Sequence, residues 1–261
     1  MLLVAVPFGL AIGLALGTLG GGGAVLAVPA FVYVLGQDAH EATTASLAVV
    51  ATAALAGGIG HVQTGQVCWR HAGAFVGPAI GGILVGTVLN AAVGGRLLLA
   101  MFVPLILVAA WATWRKARAP DEGTNKAPRA CPPLLVRRAA LAGVVVGLLT
   151  GFFGVGGGLV VVPTLAIALR LSIHQAIATS LFIVSAVSLS ALAAHLVAGN
   201  TLDVGVTAAM TAGCGAGAVM GARLAPRFSA PALASGFALL LTAVAIYMMA
   251  ASTLLDSASP A

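Results

Sequence analysis

The sequence predicts an all-α polytopic membrane protein made of two copies of one four-segment unit, read as inverted repeats. Each copy opens with a glycine-broken or re-entrant helix. Three observations carry this prediction. Hydrophobic residues make up 61% of the chain and charged ones 7%, with a mean hydropathy of +1.12, whereas soluble domains are roughly 25% charged. Uncharged runs recur at 1–37, 42–69, 71–95, 97–114, 139–169, 171–202, 204–222 and 228–255, each close to or beyond the ~20 apolar residues that cross a bilayer. Finally, the chain matches itself when shifted by 134 residues.

The self-match begins where GTLGGGGAVLAVP (17–29) falls on GFFGVGGGLVVVP (151–163). It continues without a gap, pairing His40 with His174, Ser46 with Ser180, Leu47 with Leu181, His61 with His195 and Gly65 with Gly199. A shift of one more residue places Gly82 and Gly86 on Gly217 and Gly221. Two histidine pairs aligned together with the glycines exceed what apolar composition alone produces, so the halves are a duplicated unit. The resulting organisation is a first membrane repeat (1–114), a basic connector (115–138), a second repeat (139–255) and a short tail (256–261).

The first segment of each repeat is interrupted by a glycine run and a proline. Glycine costs about 1 kcal/mol and proline about 3 kcal/mol inside a helix, so the chain is expected to leave helical geometry near Gly20–Gly23 and Gly154–Gly158. Pro29 and Pro163 are then expected in the first turn of a new half-helix, where a missing N–H is tolerated. If this element crosses the membrane once, Arg96, Arg170, Arg223 and Arg227 lie outside; if it folds back, only Arg96 does. The positive-inside rule favours folding back, which inverts one repeat against the other.

Seven of the twelve basic residues lie in the central loop: Arg115, Lys116, Arg118, Lys126, Arg129, Arg137 and Arg138. The +6 charge therefore reads as a cytoplasmic loop of a multi-pass inner-membrane protein rather than as a nucleic-acid surface. Cys68, Cys131 and Cys214 are odd in number and lack CxxC spacing, so no disulfide framework or zinc site is expected. The five histidines show no metal-ligand spacing, and no cofactor is implied.

Broken backbone at membrane depth is tolerated where it lines a cavity or is buried in protein. The amides at the start of a half-helix, with its positive dipole end, favour an anion. The competing reading is that the glycines only let helices pack closely. Every acidic residue (Asp38, Glu41, Asp121, Glu122, Asp203, Asp256) falls outside the span centres, which disfavours a cation carrier. GGGGA lacks the Lys-Ser/Thr of a phosphate-binding loop, so ATP does not drive the chain directly. Hydroxyls on Thr44, Ser46, Thr179 and Ser180 sit near the starts of the second segments, as oxyanion donors or as caps and helix contacts. His40, His61, His174 and His195 flank those segments, as proton carriers or as polar anchors.

Two GxxGxGGG-like breaks each leading to a proline, each followed by H-x-A-x-x-x-S-L, resemble the sulfite exporter TauE/SafE family of bacterial membrane proteins. The second-half stretch GLLTGFFGVGGGLVVVPTLAIALRLSIHQAIATSLFIV is the closer match; the first copy departs at Thr18, Leu19 and Ala24. The resemblance implies export of a sulfur-containing anion such as sulfite, sulfoacetate or a related organosulfonate. Gly20, Gly22, Gly23, Gly154, Gly156, Gly157 and Gly158 would form the anion cradle, and Ser46, Thr179 and Ser180 would donate hydroxyls. The alternative is an anion channel or an uptake protein for a compound such as thiosulfate, with Cys68 or Cys214 touching the anion. No catalytic arrangement appears in the spans, so an enzyme is not expected. The expected partners are the substrate and the bilayer, with a homodimer left open.

Overall fold

Glycines spaced four apart set the two closest helix pairs. In the computed structural model, residues 2–19, 22–62, 67–118, 131–167, 169, 171 and 173–224 are described, with 239, 242 and 246 in the last segment. Helix α1 (Leu2–Leu19) lies along α9 (Val204–Leu224), and α6 (Val136–Phe153) along α4 (Trp69–Ala92). Gly9, Gly13 and Gly17 rest on the backbone of Met210, Cys214 and Ala218, while Gly213, Gly217 and Gly221 rest on Val6, Leu10 and Leu14. In the other pair, Gly143, Gly147 and Gly151 rest on Phe75, Ala79 and Ile83, while Gly82 and Gly86 rest on Val144 and Leu148. A spacing of four lines these residues along one helical stripe. Lipid offers no hydrophobic drive for helices to associate, so close backbone packing has to supply the attraction.

The numbers rise together on both sides of each pair, so both pairs are parallel. They are also equivalent under the duplication, because Gly9, Gly13 and Gly17 become Gly143, Gly147 and Gly151 on the 134-residue shift. The first helix of each repeat thus packs on the third helix of the other, and the two repeats interlock. Between them lie α3 (Ala39–Val62) and α8 (Ile173–Val197), the two second helices. Thr44 meets His195 near one end and Gly58 meets Leu181 and Phe182 towards the other, so these equivalent helices run antiparallel. Helix α5 (Gly95–Arg118) adds Phe102, whose ring meets that of Phe153 edge-on at 5.6 Å.

The first segment of each repeat is broken, and the two breaks differ. After α1 come a 3-10 stretch (Gly22–Leu26), a single α-turn α2 (Ala27–Pro29) and a π-turn (Ala30–Val34). After α6, the chain turns through Gly154 before α7 (Gly158–Ile167) begins. Neither proline sits in a first turn as expected: Pro163 is the sixth residue of α7, and Pro29 closes the α-turn inside a longer helical stretch. A proline there removes a bond to the carbonyl four residues back. Directly after Pro29 the chain makes a π-turn, with the Leu35 amide reaching the Ala30 carbonyl at 3.2 Å.

Five described helices are long and apolar enough to cross a membrane, over Ala39–Ile59, Trp69–Ala92, Val136–Phe153, Gln175–Val197 and Val204–Leu224. Helix α7, at ten residues, rises about 15 Å, half of a hydrocarbon core of about 30 Å. Two acidic residues act as helix caps. Asp38 accepts the His40 amide at 3.0 Å and opens α3, and Asp203 accepts the Val206 amide at 3.1 Å and opens α9. Both therefore meet orphan helix-start donors rather than a solute.

The cysteines correct the sequence expectation. Cys68 and Cys131 form a disulfide, with their Cα atoms 6.0 Å apart, while Cys214 is free and buried. Spacing gave no signal because 63 residues separate the partners. Only the fold brings the end of the connector onto the start of α4. The connector residues Arg115, Lys116 and Arg118 belong to the last turn of α5, and Arg137 and Arg138 to the first turn of α6.

Candidate functional site

Three consecutive features build the second break: a helix end, a left-handed glycine turn and a helix start. Gly154, Gly156 and Gly157 have φ of 69°, 66° and 66°, a region that costs other L-residues about 1–2 kcal/mol each. The Gly154 amide closes α6 by donating to the Thr150 carbonyl at 2.8 Å. Beyond the turn, the Val160 and Val161 amides both reach back to the Gly157 carbonyl at 3.0 Å, and Gly158 opens α7. The amides before them have no intrahelical partner by geometry and carry the positive end of the α7 dipole.

Side chains from three helices close around this turn. Thr43 and Ser46 come from α3, Ser188 from α8 and Thr150 from α6. Thr43, Ser46 and Val50 are spaced for one helical face, and Thr43 and Val50 occupy the places where a Cβ on Gly154 or Gly156 would go. Ser46 holds the turn itself: its hydroxyl lies 2.5 Å from the Gly154 carbonyl oxygen and 2.7 Å from that of Thr43. Ser188 Oγ would lie 2.7 Å from a Cβ at Gly156, and Thr150 Oγ1 2.8 Å from one at Gly157. Both hydroxyls are fully buried and have no hydrogen-bond partner among the described residues. A buried hydroxyl without a partner is costly, of order 1–3 kcal/mol, and two of them are aimed at this one glycine turn.

The two breaks also meet. Val25 of the first and Gly157 of the second line one apolar hollow of about 20 Å³, with Leu105, Leu149, Val155 and Val160. That volume holds about one water, so this conformation is closed around the turn.

The end of α6 is held by a polar cluster. His195 is fully buried, and its Nε2 donates to the Gly151 carbonyl at 2.7 Å. Its Nδ1 faces Asn200 Nδ2 at 3.0 Å and Thr44 Oγ1 at 3.4 Å. Asn90 Nδ2 donates to the Phe152 carbonyl at 2.7 Å, which turns Asn90 Oδ1 toward His40 Nδ1 at 3.1 Å. The amide orientation fixes the His40 tautomer with its proton on Nδ1. His195 and Asn90, one from each repeat, thus serve the otherwise orphaned carbonyls that precede the break, and His40 holds the Asn90 amide in place.

The remaining sequence-predicted residues scatter around this centre. Thr179 lies elsewhere on α8, where its hydroxyl accepts the Cys68 amide at 3.0 Å. Ser180, the counterpart of Ser46, donates to the Ile177 carbonyl at 2.8 Å. Gly23 packs on the backbone of Ile12 and Leu16 in α1, Gly22 starts the 3-10 stretch, and Gly20 lies outside the described residues. His61 falls in the last turn of α3 and His174 in the first of α8, with side chains outside the described set. Sequence reasoning missed Asn90, Thr150 and Ser188. Asn90 is a lone amide within an uncharged span, which is the signal that was there to be found.

Comparison with known proteins matches the sulfite exporter TauE/SafE family over residues 5–248. The chain belongs to this family. A "probable membrane transporter protein" of Xylella fastidiosa (strain 9a5c) is 34% identical over 253 residues, covering 95% of both chains. A second, from the Temecula1 strain, is 32% identical over 256 residues with the same coverage. The "probable membrane transporter protein YdhB" of Bacillus subtilis (strain 168) is 25% identical over 193 residues, or 70% of this chain and 74% of its own. No solved structure matches the chain significantly. As a TauE/SafE protein it is a multi-pass membrane transporter.

Proposed function

We propose that this TauE/SafE protein is a secondary transporter that exports a small sulfur-containing anion, sulfite or an organosulfonate, across the bacterial cytoplasmic membrane. The carrying observation is the pair of unpartnered buried hydroxyls, Thr150 and Ser188, aimed at the left-handed turn of Gly154, Gly156 and Gly157. Hydroxyl donors, amides at the start of α7 and the dipole end are the chemistry that replaces the hydration of an oxyanion. In this reading Gly154 to Gly158 are the cradle of the second repeat and Gly20, Gly22 and Gly23 its counterpart, with Ser46 bracing the second turn.

The repeats act as inverted units rocking around the breaks. Antiparallel packing of the equivalent helices α3 and α8 supports the inversion, and the short α7 supports a re-entrant first segment. The 20 Å³ hollow belongs to a closed state of that cycle. In the same reading His40 and His195, which hold the α6 end through Asn90 and Gly151, link its state to protonation. A direct role for Cys214 in handling the solute gains no support, since it is buried where Gly9 and Gly13 press on α9.

The test is flux. Purified protein in liposomes should move labelled sulfite or sulfonate under an imposed ion gradient. No movement of either, under sodium, proton or potassium gradients, removes this substrate class.

A further inference from the structure

Away from the glycine break, at the opposite end of α4 from Asn90, a cleft of about 340 Å³ is lined by Cys68, Trp69, Arg70, His71, Cys131 and the Pro132–Leu134 stretch of the connector. Three observations make it chemically particular. His71 is 1% exposed, and neither ring nitrogen has a hydrogen-bond partner among the described residues. Cys68 is buried and is the N-cap residue of the 24-residue α4, its carbonyl accepting the His71 and Ala72 amides at 3.0 and 3.1 Å. Cys131, its disulfide partner, is exposed.

We infer that the Cys68–Cys131 disulfide is a reversible modification site for sulfite. The inference rests on the transport reading only for the identity of the anion. The sulfur lone pair of sulfite attacks Sγ of the exposed residue Cys131 and forms a new S–S bond. The Cys68–Cys131 bond breaks, and its electron pair leaves on Cys68 Sγ. The products are S-sulfonated Cys131 and a Cys68 thiolate, so atoms and electrons balance with sulfite as the reductant of the disulfide. The leaving group is well placed, because a thiolate at a helix N-terminus meets free amides and the positive dipole end, and a stabilised thiolate leaves faster. Arg70 supplies a positive charge at the mouth, and the free nitrogens of His71 supply a hydrogen bond to the sulfonate or the thiolate. Return needs no further reagent: the Cys68 thiolate attacks Cys131 Sγ and expels sulfite.

The location agrees with a bond that exchanges. Cys131 lies a few residues before Arg137 and Arg138, on the basic side that the charge distribution reads as cytoplasmic, where disulfides are usually transient and reactive. The bond also sits at a junction of the repeats, since the Cys68 amide donates to Thr179 of α8 and Trp69 meets Phe182 at 5.0 Å.

The experiment uses oxidised full-length protein in detergent, incubated with sodium sulfite at neutral pH, trapped with iodoacetamide and mapped by peptide mass spectrometry. Sulfonate on Cys131 and alkylation of Cys68 are expected, with the disulfide re-forming when sulfite is dialysed away. Sodium sulfate should leave the bond intact. Arg70→Gln, whose side chain is exposed, should slow the reaction about tenfold by removing the steering charge, and His71→Phe should slow it further. Unreacted cysteines in the folded protein, or an Arg70→Gln rate equal to that of the unaltered chain, overturns the inference. Flux of labelled sulfite through liposomes is followed in parallel. Flux with unreacted cysteines sinks the modification alone, whereas a sulfonated Cys131 without flux supports the modification and counts against the transport reading.

Discussion

The imidazole of His195 donates from Nε2 to the carbonyl oxygen of Gly151 at 2.7 Å, bridging the last turns of α8 and α6 three residues before α6 turns aside at Gly154. The bond makes the end of one span depend on a side chain from another. It also commits the neutral ring to one tautomer, since Nδ1 faces the Asn200 amide.

Replacing His195 with Ala therefore leaves the Gly151 carbonyl buried and unpaired. A loss of about 1–3 kcal/mol is expected for that, read as a lower thermal midpoint of the purified protein in detergent. An unchanged midpoint would show that the bond contributes nothing.

Asn90 serves two partners, the Phe152 carbonyl and His40. Asn90→Asp replaces the donating amide with an acceptor facing another acceptor, and should destabilise more than Asn90→Ala, which costs about 1–3 kcal/mol. If the aspartate variant proves the more stable of the two, the assigned amide orientation is wrong.

Thr150→Val and Ser188→Ala separate binding from folding. Neither hydroxyl has a partner among the described residues, and removing a buried unpaired polar group is near neutral or stabilising. The thermal midpoint should hold or rise while KM for the transported anion rises about tenfold, the equivalent of about 1.4 kcal/mol. Unaltered KM in both variants would remove these hydroxyls from the site.

The helix glycines divide into two groups with opposite expected signs. Gly82 and Gly147 press on the backbone of Val144 and Ala79, whereas a Cβ added at Gly73 or Gly77 would meet nothing within 4 Å among the described residues. Alanine at Gly82 or Gly147 should destabilise by about 1–3 kcal/mol through overpacking. Alanine at Gly73 or Gly77 should stabilise by up to about 1 kcal/mol through helix propensity. Thermal unfolding of the four variants side by side checks the contrast, and equal effects would contradict the helix pairing.

Much of the candidate site was legible because it is written in local signals. A glycine run and a proline announce a break wherever they fall, so Gly154, Gly156 and Gly157 were found from spacing alone. The duplication named His195 and Ser46 as residues to watch, and both meet the α6 end or its turn. Thr150 and Ser188 gave no such sign, because a hydroxyl in an apolar helix usually bonds its own backbone. Whether it does so or faces a turn depends on the facing helices.

By itself, the sequence determined that the chain lives in a bilayer, that it is duplicated and where its first segments must break. These follow from hydropathy, self-similarity and backbone stereochemistry, the last of them carried by residues near one another in the chain. The tertiary structure alone decided that α1 pairs with α9 and α4 with α6, that Cys68 meets Cys131, and that Asn90 and two histidines converge on one helix end. Those choices rest on the fit of surfaces between segments tens to hundreds of residues apart, where a missing methyl group at each interface glycine decides which backbones can touch.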